Sequence, residues 1–152
     1  MIKHIKCDIF KSGADVICHQ VNCQGVMGSG IAKQVREKFP TVYKAYIEWC
    51  SQNKPEYLLG RAQPINAKGE MIIVNIFAQE NFGYDGKCYT DYNALKNGLK
   101  TVRLNFKNNT IAIPYLMGCH RGGGDWNVVY KMIEEVFSDF DGEVLICEYN
   151  GG

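Results

Sequence analysis

The sequence lacks a long apolar run, and no stretch approaches the ~20 residues that a membrane-spanning helix needs. Its first residues, Met1 to His4, also lack the apolar stretch of a secretory signal peptide. We therefore expect a cytoplasmic protein that has no membrane partner.

Charge of one sign is scarce as well. Lys plus Arg number 17 and Asp plus Glu number 16, which leaves a net charge of +1. The chain therefore lacks the positive field that binds bulk nucleic acid. We expect a monomer, although a net charge near zero also permits self-association.

The 7 cysteines do not have the spacing of a zinc site, because no Cys-x-x-Cys motif occurs. Their odd number and the missing export signal predict free thiols in a reducing compartment. We expect no metal and no cofactor. Two nucleotide motifs are also missing. The Lys-Ser/Thr ending of a P-loop is absent, which disfavours ATPase chemistry, and the absence of Gly-x-Gly-x-x-Gly weighs against a dinucleotide site.

The 152 residues present fit one domain, residues 1–152. Strands alternate with helices after an N-terminal pair of strands, which predicts an α/β fold whose mostly parallel sheet has helices on both faces. The predicted strands are 2–10, 16–21, 57–65, 70–77, 110–115 and 143–149, and the main predicted helices are 31–39, 41–52, 91–106 and 126–137.

Two glycine-rich loops, residues 22–30 and 117–124, each follow a strand and precede a helix. Ligands in such sheets bind outside the carboxyl ends of the strands, so both loops should lie at the binding edge. Glycine lets backbone N–H groups approach a ligand, and a helix N-terminus adds unpaired donors. Two such loops on one edge predict a site for a diphosphate.

Residues 21–32, VNCQGVMGSGIA, resemble the first ligand loop of a macrodomain, and residues 113–126 resemble the second. The segment Cys7-Asp8-Ile9-Phe10 is similar to the Gly-Asp-Ile/Leu segment of that family. The resemblance spans nearly the whole chain. It is strongest to the branch of terminal ADP-ribose glycohydrolases and yeast-type ADP-ribose 1''-phosphate phosphatases. It implies a three-layer α-β-α macrodomain with a mixed, mostly parallel central sheet.

The resemblance implies ADP-ribose or an ADP-ribosylated substrate as the partner. Asp8 would accept a hydrogen bond from the adenine amino group, with Ile9 alongside. Alternatively, Asp8 only caps the turn after the first strand. Tyr149 would pack on the adenine, or it is an ordinary aromatic at a strand end. Asn150 would touch the proximal ribose. Asn22 would lie near the distal ribose, or it only suits the backbone of the turn.

The loops themselves would bind the diphosphate and the distal ribose. The implied contacts from the first loop are Gly28, Ser29, Gly30 and Ile31. Those from the second loop are Gly118, Cys119, Arg121, Gly122, Gly123 and Gly124. Arg121 either pairs with a phosphate or is exposed to solvent. Cys119 is either a nucleophile or a small packing residue.

Glycohydrolases of this branch use a lysine just past the middle strand, where this chain has Ala78-Gln79-Glu80. Lys87 lies farther along, and the loop would have to fold back to bring it to the site. The branch also uses an aspartate in the second loop, where this chain has Asp125 displaced toward the helix. The candidates for catalysis are the loop residues Asn22, His120 and Asp125, which would position water and stabilise charge at the distal ribose. Histidine suits proton transfer near neutral pH, but His120 could be a solvated loop residue. Asp125 is either catalytic or the N-cap of the last helix. His19 lies within a strand and is expected to be a core residue.

The resulting hypothesis is a hydrolase acting at the distal ribose of ADP-ribose derivatives. It would be an ADP-ribose 1''-phosphate phosphatase or an ADP-ribosyl glycohydrolase that removes ADP-ribose from modified protein or nucleic acid. The alternative is a reader module that binds ADP-ribose without turnover.

Overall fold

A computed structural model describes residues 1–149 and contains one six-stranded sheet. Its strands are β1 (Ile2–Lys6), β2 (Val16–Asn22), β3 (Ala62–Lys68), β4 (Met71–Gln79), β5 (Thr110–Pro114) and β6 (Glu143–Glu148). Their order across the sheet is β1-β6-β5-β2-β4-β3. Every neighbouring pair is parallel except β3 and β4, so the mixed, mostly parallel sheet is confirmed.

Helices cover both faces of this sheet. They are α1 (Gly30–Lys38), α2 (Pro40–Gln52), α3 (Pro55–Leu58), α4 (Tyr92–Asn105) and α5 (Trp126–Val136). Neighbouring residues of β2 divide between two apolar clusters, because successive side chains of a strand point to opposite faces. Ile17 packs with residues of α1 to α3, whereas Cys18 packs with residues of α4 and α5. The fold is therefore a three-layer α-β-α arrangement.

The prediction of a strand over residues 2–10 was wrong at its end. β1 stops at Lys6, and Ile9–Lys11 form a short 3-10 helix instead. The Asp8 carboxylate accepts a hydrogen bond from the backbone N–H of Phe10 at 3.0 Å and caps this helix. That local bond competes with continued strand pairing.

The prediction of a strand over residues 57–65 was wrong at its start. The single-turn helix α3 begins at Pro55, because the fixed φ of proline suits the first position of a helix. β3 therefore starts only at Ala62. β3 then continues to Lys68, beyond the predicted strand end at residue 65. Gly69, with a φ of 58°, makes the turn into β4.

No helix within residues 1–149 has the length and apolar character needed to cross a membrane. The seven cysteines all lie in this part of the chain, and all are free thiols.

Candidate functional site

Two cavities lie side by side at the carboxyl ends of the parallel strands. The larger has a volume of about 560 Å³ and the smaller about 230 Å³. They share four lining residues, Gly30, Ile31, Pro114 and Tyr115. The N-terminus of α1 thus lies on one side of the junction and the end of β5 on the other. This arrangement suits an elongated ligand whose two ends occupy different cavities.

The larger cavity brings together most of the predicted loop residues. Those that line it are Asn22, Gly28, Ser29, Gly30, Ile31, Gly118, His120, Arg121 and Gly122. The smaller cavity contains the predicted adenine contacts Asp8, Ile9 and Tyr149, together with Cys147 and Gln34. Asn150 lies outside the residues that the structure describes.

The first glycine-rich loop is held by the side chain of Asn22. Its Nδ2 donates to the carbonyl of Val26 at 2.7 Å, and its Oδ1 accepts from the N–H of Gln24 at 3.0 Å. The buried hydroxyl of Tyr46, on α2, lies 2.8 Å from the same Oδ1. Asn22 therefore builds the loop, and these contacts favour a positioning role over direct participation in chemistry.

The start of α1 presents backbone donors to the cavity. Ser29 occupies the N-cap position, but its side chain makes no capping hydrogen bond. The first N–H groups of a helix have no partners within the helix, and they carry a partial positive charge. Because Ser29, Gly30 and Ile31 all line the larger cavity, this end of α1 fits an anionic group such as a phosphate.

The second glycine-rich loop is bonded to the segment before α4. The carbonyl of Gly122 accepts hydrogen bonds from the N–H groups of Tyr89 and Thr90, at 2.7 and 3.0 Å. Gly123 has a φ of 71°, and a Cβ there would collide with the carbonyl oxygen of Lys87. Neither Gly123 nor Gly124 lines a cavity within residues 1–149. Gly123 thus allows the close approach of two loops, whereas Gly124 lies against the carbonyl of Gly118 within its own loop.

Leu116 is strained at the edge of the larger cavity. Its φ is 64°, and it is the one non-glycine residue of the described chain with a positive φ. A non-glycine residue in this region costs of order 1–3 kcal/mol, and such strain is concentrated at functional sites. The strain supports the assignment of this edge as the site.

Positive charge lies at the mouth of the larger cavity. The guanidinium carbon of Arg121 is 4.4 Å from the ring centroid of Tyr84, which is 64% exposed. This cation–π contact connects the second loop to the polar loop after β4. His120 is exposed beside Arg121 and also lines the cavity. The Arg121 guanidinium and the His120 imidazole therefore lie together at the mouth of the larger cavity.

Solved structures share this arrangement of strands and helices. The macrodomain of Thermus aquaticus DarG superposes with a TM-score of 0.79 at 23% identity, over 99% of each chain. A crystal structure of a Bacteroides thetaiotaomicron protein has a TM-score of 0.84 at 26% identity, over 97% of this chain and 99% of that one. The chain has the macrodomain fold.

Another structural neighbour was solved with a ligand. The structure of Thermosipho africanus DarTG in complex with ADP-ribose superposes with a TM-score of 0.82 at 21% identity, over 97% of this chain and 41% of that one. No protein-family model matches this macrodomain sequence.

Curated relatives match part or all of this macrodomain. The ADP-ribose 1''-phosphate phosphatase of Debaryomyces hansenii is 36% identical over 89 residues, covering 48% of this chain and 50% of that protein. The DNA ADP-ribosyl glycohydrolase of Mycobacterium tuberculosis is 28% identical over 158 residues, covering all of this chain and 43% of that protein. The chain thus spans about half the length of these relatives.

Three residues considered for chemistry lie outside the cavity lining of this macrodomain. Asp125 is exposed, and its carboxylate accepts from the N–H of Asn127 at 2.9 Å as the N-cap of α5. Burial, with the nearby Asp125 and Cys88, raises the pKa of Cys119 to about 11, so its thiol stays protonated near neutral pH. Lys87 is exposed and lies 3.8 Å from the Asp85 carboxylate.

The larger cavity has no lysine and no carboxylate in its lining, as far as residues 1–149 are concerned. Within the same range, no group of three or more His, Cys, Asp or Glu side chains is placed to hold a metal ion. Within the described residues, its ionisable side chains with access to solvent are thus those of His120, Arg121, Tyr84 and Tyr115.

Several residues that line the larger cavity of this macrodomain were not predicted from the sequence. His19 and Gln20 of β2 line it, together with Gln79 and the loop residues Phe82, Gly83 and Tyr84. His19 is buried, as predicted, and burial lowers its pKa to about 4, a shift that the hydrogen bond from its ring to Asn75 only partly offsets. The available signal was a polar His-Gln pair inside an apolar strand, directly before a glycine-rich loop.

Proposed function

We propose that this chain binds ADP-ribose in the two adjoining cavities and hydrolyses ADP-ribose derivatives at the distal ribose. The observation that carries the proposal is the joined groove, with both glycine-rich loops, Asp8 at one end and His120 at the other. The activities of the phosphatase and glycohydrolase relatives support it. So does the fold shared with a protein solved with ADP-ribose.

The groove suits one orientation of this ligand. The adenine would occupy the smaller cavity, where the Asp8 carboxylate accepts from its amino group and Tyr149 packs against the ring. The diphosphate would lie across Gly30 and Ile31 at the positive end of α1. The distal ribose would then reach the larger cavity, below His120. The bond from the N–H of Phe10 orients the Asp8 carboxylate for this role.

The chemistry would use water as the nucleophile, since no lysine of the described chain lines the groove. In a glycohydrolase, the water oxygen bonds to the anomeric carbon while the bond from that carbon to the attached group breaks. In a phosphatase, it bonds to phosphorus while the bond to the ribosyl oxygen breaks. In either case His120 would take the proton of the water and return it to the leaving group. Arg121 would stabilise negative charge.

A second candidate function is a reader that binds ADP-ribose without turnover. One specific observation favours it, namely that no carboxylate of the described residues lines the larger cavity. The groove would then provide affinity alone. Measurement of turnover distinguishes the two candidates, whereas measurement of affinity does not.

We also propose that residues 1–152 form one domain, because β1 near the amino terminus pairs with β6 near the end of the described chain. Seven free thiols support a reducing, cytoplasmic setting. A net charge of +1 supports the absence of bulk nucleic-acid binding. A monomer is proposed as well, and light scattering of the pure protein tests it.

The test of function is turnover by the pure protein without added metal. Phosphorus NMR follows release of inorganic phosphate from ADP-ribose 1''-phosphate, and release of free ADP-ribose is measured from ADP-ribosylated DNA and protein. H120A should lower turnover by about 100-fold or more while the Kd for ADP-ribose stays within about tenfold. K100A is the control, because Lys100 is exposed on α4 and lines neither cavity.

Binding of ADP-ribose without release of product from any of these substrates would establish the reader. Absence of both binding and turnover would contradict the proposal.

A further inference from the structure

Both basic side chains at the mouth of the larger cavity belong to residues 118–122, and one residue of a different loop contacts both ends of this segment. The hydroxyl of Thr90 donates to the carbonyl of Gly118 at 2.6 Å. The backbone N–H of Thr90 donates to the carbonyl of Gly122 at 3.0 Å. Thr90 is 7% exposed and lines neither cavity of the described chain. It therefore contacts the segment from the side that faces away from the ligand.

Thr90 is itself held by the central sheet and by α4. The next residue, Asp91, donates its N–H to the carbonyl of Ala78 in β4 at 2.7 Å, and its carboxylate caps α4. A carbonyl can only accept, so the Thr90 hydroxyl gives its proton to the segment and accepts from Nε2 of Gln20, on β2, at 2.8 Å. The same Nε2 also donates to Oε1 of Gln79 at 2.8 Å. Thr90 thus connects the segment to rigid elements of the fold.

The glycines at the ends of the segment allow Thr90 to approach this closely. A Cβ at Gly122 would collide with the Thr90 hydroxyl, and a Cβ at Gly118 would lie 3.2 Å from it. The carbonyl of Gly118 also accepts from the N–H of Gly124 at 2.9 Å, which closes the loop on itself. The Thr90 hydroxyl therefore lies at the neck of a small closed loop whose tip lines the larger cavity.

We propose that Thr90 is a positioning residue for hydrolysis, because its hydroxyl and its N–H hold both ends of the segment that carries His120 and Arg121. This inference rests on the proposed function, in which His120 transfers a proton and Arg121 stabilises negative charge. A displacement of about 1 Å at catalytic groups can lower a rate by roughly 100-fold. Loss of the Thr90 hydroxyl should therefore lower the rate of the chemical step more than the affinity, since the adenine and the diphosphate would be bound elsewhere in the groove.

Two variants separate the hydroxyl of Thr90 from its packing. T90V has nearly the same shape but lacks the hydroxyl, so it loses the bonds to Gly118 and Gln20. T90S keeps the hydroxyl and loses a buried methyl group. T101V is the matched control, because the Thr101 hydroxyl also donates to a carbonyl, that of Asn97, but lies on α4 and lines neither cavity. Circular dichroism establishes that each variant is folded.

Turnover is measured with whichever of ADP-ribose 1''-phosphate, ADP-ribosylated DNA and ADP-ribosylated protein the wild-type chain hydrolyses, and calorimetry gives the Kd for ADP-ribose. T90V should lower kcat by about tenfold or more and raise the Kd by no more than about threefold. T90S and T101V should keep kcat within about threefold of wild type. An unchanged kcat in T90V, or a loss in T90S as large as that in T90V, would overturn the positioning role of Thr90.

A second measurement does not depend on turnover. Hydrogen exchange of the Gly124 N–H, followed by NMR, reports on the closed loop, because this N–H donates to the same carbonyl as the Thr90 hydroxyl. T90V should speed this exchange by about tenfold relative to amides of the sheet, whereas T90S and T101V should not. Unchanged exchange in T90V would overturn the role of Thr90. A wild-type chain that hydrolyses none of the three substrates would instead contradict the proposed function, and the exchange result would still decide whether Thr90 holds the loop.

The hydroxyl proton of Thr90 covers the case in which T90V does not fold. In the wild-type chain this proton should give a slowly exchanging NMR resonance, because its bond to Gly118 and its burial shield it from water. A hydroxyl proton that exchanges as fast as that of Thr101 would overturn the proposal.

Discussion

The hydroxyl oxygen of Tyr46 lies 2.8 Å from Oδ1 of Asn22, so a fully buried residue of α2 holds the first glycine-rich loop in place. The same hydroxyl lies 2.8 Å from the backbone carbonyl of Asn22. Asn22 in turn holds the backbone of the loop at Gln24 and Val26. The shape of the larger cavity therefore depends on a contact inside the core.

Removal of this hydroxyl should affect both stability and binding. In Y46F, the free energy of unfolding should fall by about 1 kcal/mol, because one buried hydrogen bond is lost while the ring remains packed. The Kd for ADP-ribose should rise severalfold, because the loop is held less firmly. Urea unfolding and calorimetry measure the two effects. Y43F is the matched control, since Tyr43 lies on the same helix but is only half-buried beside Arg36. An affinity that Y43F lowers as much as Y46F would contradict this explanation.

The contact between Arg121 and Tyr84 should contribute to affinity through charge and through loop closure. R121A should weaken ADP-ribose binding by about tenfold at low salt, with a smaller loss at high salt, because a phosphate contact is screened. R121K keeps the charge but stacks poorly on the ring, so it should lie between wild type and R121A. Calorimetry at two salt concentrations measures this, and an R121A affinity equal to that of wild type would exclude Arg121 from the site.

Variants of Asp125 distinguish a role in capping α5 from a role in catalysis. D125A should lower the free energy of unfolding by about 1 kcal/mol, whereas D125N should keep most of the stability, because asparagine is an equally good N-cap. Since the carboxylate lies outside the cavity lining, we expect D125N to retain turnover within a few-fold of wild type. A large loss of turnover in a D125N protein of normal stability would restore the catalytic role that the sequence predicted.

The buried His19 predicts a dependence of stability on pH. Burial lowers its pKa from an ordinary value of about 6.5 to about 4. Between these values the unfolded chain binds a proton that the folded chain does not, so the free energy of unfolding decreases as the pH falls from 6.5 towards 4. The contribution amounts to roughly 3 kcal/mol at the acid end. H19Q should lack this part of the acid sensitivity, while the carboxylates contribute equally to both proteins. Identical pH profiles in urea unfolding would contradict the assignment.

Much of the fold could be predicted from the sequence because the patterns are strong there. Apolar residues on one side of 91–106 and 126–137 gave α4 and α5 within one residue at each end. Prediction was wrong where a local contact competes with a strand, as at Asp8 and Pro55. The antiparallel position of β3 rests on pairing with β4, for which the sequence of either strand alone carries no signal.

The glycine-rich loops of the candidate site could be predicted from the sequence, whereas the strand residues that line the larger cavity could not. The glycine-rich loops carry a local signature, so Gly28 and Gly30 were expected at the cavity. His19 and Gln20, which also line that cavity, are held by hydrogen bonds to Asn75 and Thr90, which lie far away in the chain. The packing role of Gly123 likewise depends on the approach of a separate loop at Lys87.

The most direct test of the central claim is a calorimetric titration of ADP-ribose into the wild-type chain and D8N. We predict that the wild-type chain binds one ADP-ribose. In D8N, asparagine can still cap the 3-10 helix, but one carboxylate oxygen that would accept from the adenine amino group is lost, so the Kd should rise by about tenfold. No heat of binding to the wild-type chain would contradict the assignment of the groove to ADP-ribose. Equal affinity in D8N would contradict the placement of adenine beside Asp8.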